Sequence, residues 1–126
     1  MNNLVLAYLG DAVFELYVRE YLIRLGYVKV KELQKKSIEY VSAKAQAKLL
    51  DELSSKILSE SEIEIVKRGR NAHSHGSKST NIVTYKKSTG LETLIGYLYI
   101  NDKHRLDDIM KEALKWNYLK KIYLMN

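Results

Sequence analysis

Three places in this chain carry side chains able to do chemistry. The first is Asp11, which directly follows Gly10 inside the otherwise apolar run AYLGDAVFELYVREYLI at 7–23. Glycine inside a helix costs about 1 kcal/mol relative to alanine. A buried carboxylate without a partner costs more, or takes up a proton instead. Neither residue helps such a helix to fold, so both need a reason. Ala7, Tyr8, Phe14 and Glu15 lie three or four positions from Asp11 and share its helical face. A hydrogen bond or ion pair from elsewhere in the fold is the plain structural explanation for Asp11. Glu15 has a simpler one, because Arg19 stands four residues on and can pair with it on a solvated face.

The second place is Glu92, in STGLETLIGYLYI at 88–100. Thr89-Gly90-Leu91-Glu92 matches a capping box, in which the glutamate reaches back to the amide at the start of its helix. A purely structural role is therefore open for it. The third is KRGRNAHSHGSKS at 67–79 with TYKK following at 84–87. Its lysines, arginines, hydroxyls and amides offer many phosphate contacts, and a solvated basic loop is the plainer reading. His73 and His75 stand two apart without the cysteines or third ligand that a zinc site needs.

Bulk composition narrows what these residues can serve. The chain has 126 residues, 46% hydrophobic and 29% charged, which fits one soluble globular domain over 1–126. Twenty-one Lys and Arg against fifteen Asp and Glu leave a net charge of +6, which suits a polyanionic partner. There is no cysteine, so disulfides, zinc-thiolate sites and thiol nucleophiles are excluded. No stretch reaches the roughly 18 apolar residues of a membrane span, and the first twenty residues lack the basic start and cleavage site of a signal peptide. A cytoplasmic protein with no membrane role is expected.

The elements that must position these residues read as helices throughout. The chain has no proline and no convincing run of alternating residues. The pattern predicts a first helix over 3–25, ended near Gly26, and a short helix over 30–35. A further helix over 37–54 has Ile38, Val41, Ala45 and Leu49 at core spacing. The next covers 61–69, capped by Ser59 or Ser61 with Glu62 or Glu64 three positions on. Residues 70–87 read as a loop, followed by helices over 88–100 and 104–122. The first helix is apolar on nearly every side, so it must be surrounded, within the domain or by a second subunit.

Taken together, these segments resemble a known family. LAYLGDAVFELYVREYL at 6–22 is similar to the signature helix of the ribonuclease III family, in which a Leu-Gly-Asp-Ala/Ser core follows an aromatic residue. KRGRNAHSHG at 67–76 and TYKKSTGLETLIGYLYI at 84–100 then follow at the distances of its short form, Mini-ribonuclease III, which lacks a double-stranded RNA-binding domain. The resemblance runs from about Leu4 to Leu114.

The resemblance implies an all-α ribonuclease III-type endonuclease domain, a helical bundle that forms a two-fold homodimer. It implies a metal-dependent endoribonuclease that hydrolyses phosphodiester bonds of double-stranded RNA and matures the ends of large-subunit (23S) ribosomal RNA precursors, with a ribosomal protein as a conceivable helper. Asp11 and Glu92 match the family's metal-binding carboxylates, for magnesium with manganese as substitute. Tyr8 falls where an aromatic packs into the partner subunit, and Arg68, Arg70 and Asn71 where the short form contacts RNA. Lys86 and Lys87 extend that basic surface. Ala7 and Thr89 stand where long forms have further carboxylates. Their absence would also suit a non-catalytic module that holds structured RNA, whereas retention of both Asp11 and Glu92 favours the enzyme. Gly10 then has a reason, since with no side chain it lets another helix approach beside a metal ligand.

Overall fold

The computed structural model describes residues 1–72 and 81–115. These form six helices, and no strand occurs among the described residues. They are α1 (Asn3–Arg24), α2 (Val30–Val41), α3 (Ala43–Lys56), α4 (Glu60–Arg70), α5 (Ile82–Asn101) and α6 (Lys103–Leu114). α5 is the axis of the bundle and packs against α1, α3, α4 and α6, while α2 lies along α1. The core joins Val13, Phe14, Val18 and Leu22 of α1 to Leu91, Leu94, Ile95 and Leu98 of α5, with Leu53, Ile65, Leu106 and Ile109 from the surrounding helices.

Most helix ends follow from local chemistry. Asn2 caps α1 by accepting from the Val5 amide at 2.8 Å, and Gly26 takes the positive φ of 102° that ends the helix segment. Ser59, not Ser61, caps α4, and the full capping box with Glu62 is present. Arg105 of α6 then clamps Glu62 at 2.8 Å and also donates to the Ile57 carbonyl at 2.6 Å. This ion pair ties the last described helix to the start of α4 and holds the Glu62 carboxyl below its ordinary range.

Two boundaries differ from the sequence pattern. The expected helices over 30–35 and 37–54 are instead α2 and α3, divided at Ser42. That residue leaves the helical region at ψ 152° and turns its hydroxyl to accept from the Ala45 amide, so it closes α2 and caps α3. The break shifts the phase of the core face: Gln46, Ala47, Leu50 and Leu53 are buried on α3, and Ile38 is 63% exposed. The expected loop over 70–87 is also shorter. Asn81 accepts from the Thr84 amide at 2.8 Å and starts α5 at Ile82, well before residue 88. α6 is described to Leu114, so the end expected at 122 lies outside the described residues.

The crossing of α1 and α5 sets the architecture. A methyl group added at Gly10 would overlap the Glu92 carbonyl oxygen and lie 2.9 Å from the Gly96 amide nitrogen. One added at Gly96 would overlap the Leu6 carbonyl oxygen. The two backbones therefore touch with no side chain between them. α4 and α5 meet in a related way, because a methyl at Gly90 would fall 2.7 Å from Arg70 Cγ and 2.9 Å from the Val66 carbonyl oxygen. Alanine at an unconstrained helix position gains about 1 kcal/mol over glycine. Gly10→Ala should instead lose about 2 kcal/mol in urea unfolding, because the helices must separate. A stabilised Gly10→Ala protein would refute the tight crossing.

Candidate functional site

The glycine crossing decides where two carboxyl groups go. Asp11 is next to Gly10 on α1, and Glu92 is the α5 residue whose backbone Gly10 touches. Asp11 and Glu92 consequently face one another. Asp11 is exposed, not buried as the apolar run around it suggests, because this side of α1 reaches solvent and its charge stays hydrated. Glu92 is half-buried. Burial first, then the Asp11 charge, then a hydrogen bond shared with Asp11 push its carboxyl up from an ordinary 4.5 to about 8. Among the described residues no cation forms an ion pair with Asp11, whereas Glu15 pairs with Arg19 at 3.3 Å as its spacing suggests.

The capping role open to Glu92 does not survive. α5 begins ten residues earlier, at Ile82, and Glu92 sits in its middle. The Thr89 hydroxyl donates to the Tyr85 carbonyl at 3.1 Å within the same helix. Ala7 is buried at 7% exposure and carries no ligand. The described residues hold no group of three or more His, Asp or Glu suited to a metal ion. What they hold is a carboxylate pair without a compensating cation, open to solvent on the Asp11 side. Magnesium is bound through one or two carboxylates while keeping several waters, so this donor set fits it.

Sequence reasoning missed Gln46. It is 1% exposed on α3, its Nε2 donates to Glu92 Oε2 at 3.5 Å, and its Oε1 accepts from the Ser88 hydroxyl. A polar residue four positions before Leu50 and seven before Leu53 was the available signal, once α3 is phased from Ser42.

The basic residues occupy the adjoining helix ends. Arg68 is exposed, Arg70 rests its stem on Gly90, and Asn71 closes α4. Lys86 is exposed on the first turns of α5, whereas Lys87 is engaged with Asp51 at 3.0 Å. His73 and His75 lie outside the described residues. Tyr8, one turn before Asp11, is 83% exposed, and Leu4, Val5, Leu16 and Ile23 extend an apolar surface along α1.

The chain is similar to known proteins over most of its length. A family model described as the ribonuclease III domain matches residues 4–103. The chain is 44% identical over 118 residues to the Mini-ribonuclease 3 of Enterococcus faecalis, covering 91% of this chain and 89% of the relative. It is 48% identical over 114 residues to that of Clostridium tetani, covering 88% and 75%. A crystal structure of a Fusobacterium nucleatum protein superimposes with a TM-score of 0.80 at 31% identity, over 90% of this chain and 93% of that one.

The raised Glu92 carboxyl has a consequence for stability. Between its ordinary 4.5 and about 8, the folded chain keeps a proton that the unfolded chain has released. That contribution is complete below the ordinary value and is lost as pH rises through about 8. The melting temperature of the metal-free protein should therefore fall between about pH 5 and pH 8. Glu92→Gln should flatten this part of the profile, and an unchanged slope in that variant would refute the assignment.

Proposed function

The chain belongs to the ribonuclease III family, and from that premise we infer a hydrolase that cleaves double-stranded RNA, and propose that Asp11 and Glu92 hold its magnesium ion. The observation that carries the site assignment is the meeting of the two carboxyls across the Gly10 crossing, with no cation of the described residues paired to Asp11. Asp11 and Glu92 would hold magnesium, or manganese in its place, which would supply charge neutralisation at the phosphorus and lower the pKa of a bound water. To serve as a ligand Glu92 would release the proton that its burial and Asp11 favour, so metal binding should strengthen as pH rises. Arg68, Arg70, Asn71 and Lys86 contact phosphates of the duplex in this reading. Lys87 joins them by exchanging Asp51 for a phosphate.

Substrate choice rests on shape. A-form RNA presents phosphates and 2′-hydroxyls across a shallow minor groove and is recognised largely by geometry. We propose a homodimer through the outer face of α1, with Tyr8 in the interface, so that one site addresses each strand. That face carries Leu4, Val5, Tyr8, Leu16 and Ile23, which leave an apolar surface exposed among the described residues. The substrate proposed is the stem that joins the two ends of precursor large-subunit ribosomal RNA, in the cytoplasm, with a ribosomal protein as the helper that shapes it. No helix among the described residues is long and apolar enough to cross a membrane.

The test is incubation of the purified protein with end-labelled double-stranded RNA, with and without magnesium. Cleavage is expected only with the metal. Glu92→Gln and Asp11→Asn should each lower it by orders of magnitude while duplex binding persists, and the double variant should be little worse than either single one. Near wild-type cleavage by Glu92→Gln would remove the proposed site. For assembly, Tyr8→Asp places a charge in the interface and should give monomers in sedimentation at micromolar concentration. A wild-type protein that is itself monomeric there would remove the dimer.

A further inference from the structure

We infer that Gln46 and Ser88 act as a positioning relay for Glu92: a buried amide, fixed by a hydroxyl, holds the carboxylate at the place where it meets Asp11. The inference rests on the metal-site reading given above and concerns how that site keeps its shape.

Gln46 occupies a core position of α3, where an amide is costly unless its hydrogen bonds are made. Both ends of the amide are spent on α5. Ser88 and Glu92 are four residues apart and share one face of that helix, and Gln46 spans them. The relay has a direction. The Ser88 hydroxyl donates to Oε1, so the NH2 group is turned toward Glu92 Oε2. A reversed amide would set its oxygen against the carboxylate, lone pair against lone pair.

The relay matters because of what faces Glu92 from the other side. Asp11 repels the ionised carboxylate, and a glutamate on three rotatable bonds would relieve that repulsion by swinging away. A donor at Oε2 opposes this and leaves the remaining lone pairs of the carboxylate for a cation. The demand is sharper here than in a site with four carboxylates. Ala7 contributes no ligand, and the Thr89 hydroxyl is spent on its own helix. With two carboxylate ligands, misplacement of one removes half of the protein's hold on the metal. Groups that orient a ligand without touching the metal typically contribute about 10- to 100-fold in affinity or activity.

A merely structural tie between α3 and α5 would affect folding and leave metal affinity alone, so affinity is the readout. Binding of manganese alone to the full chain, without RNA, is measured by calorimetry for wild type, Gln46→Met, Ser88→Ala and Glu92→Gln. Gln46→Met keeps the length and unbranched shape of the side chain and removes both polar contacts. Its Kd for manganese should rise about 10- to 100-fold, and its cleavage should recover as metal is raised. Ser88→Ala frees the amide to turn and should weaken binding in the same direction by a smaller factor. Wild-type affinity in both variants, with binding lost in Glu92→Gln, would overturn the relay and leave the metal site standing. Wild-type affinity in Glu92→Gln would overturn the metal site and the relay together. Should Gln46→Met fail to fold, Ser88→Ala decides alone, and unchanged affinity there overturns the relay.

Discussion

The contact between the α1 and α5 backbones is the constraint on which the rest of this protein depends. Packed helices normally lie about 8–10 Å apart because side chains separate them. Gly10 and Gly96 remove those side chains at the crossing, and each helix touches a carbonyl of the other. Two glycines in helix interiors cost about 1 kcal/mol each. That cost is offset by the packing of Val13, Phe14 and Val18 against Leu91, Leu94 and Ile95 on the same pair of helices. The crossing also brings together two residues whose chemistry the core does not need, Asp11 and Glu92.

Electrostatics at that point run against the balance of the chain. The protein carries +6 overall, yet the two side chains that meet beside the crossing are both acidic. Elsewhere several described carboxylates are paired in ordinary ways, among them Glu62 with Arg105, Glu15 with Arg19 and Asp51 with Lys87. Glu92 instead meets a second carboxyl, and burial first, then the Asp11 charge, raise its own carboxyl to about 8 against the lowering effect of the Gln46 amide. An arrangement of this kind favours a proton or a metal cation between the groups. A ribonuclease III domain has a use for the cation, since phosphodiester hydrolysis needs charge neutralised at phosphorus. The excess of basic side chains on neighbouring helix ends then suits the polyanion that must approach an acidic centre.

α1 serves two faces at once. Leu6, Val13, Phe14, Val18 and Leu22 enter the core, while Tyr8, Leu16 and Ile23 stay in solvent. A helix apolar all round has no preferred inward stripe, so its orientation is set by what packs on it. The glycine at position 10 picks the inward face here, and the outward face that remains is the one assigned to a second copy of the chain. Asp11 lies at the border between them, where it stays exposed and hydrated.

Much of this was legible in the sequence. The helical class, the span of α1, the capping role of a serine before α4 and the identity of Asp11 and Glu92 as the residues in need of explanation all follow from local pattern and composition. Gly10 beside Asp11 already implied a close helical approach. The mid-helix position of Glu92 was not legible from local pattern, because Thr89-Gly90-Leu91-Glu92 satisfies a capping rule that applies only at a helix start. Asn81 moves that start to Ile82, and the pattern loses its meaning. The Ser42 break, which rephases α3 and buries Gln46, was equally hidden, because a serine within a helical pattern can point to solvent or cap with similar ease. Exposure of Asp11 and the reach of Gln46 across to Ser88 and Glu92 are long-range facts. Periodicity records which residues share a face of one helix, and only the packing of α1 and α3 on α5 decides which faces meet.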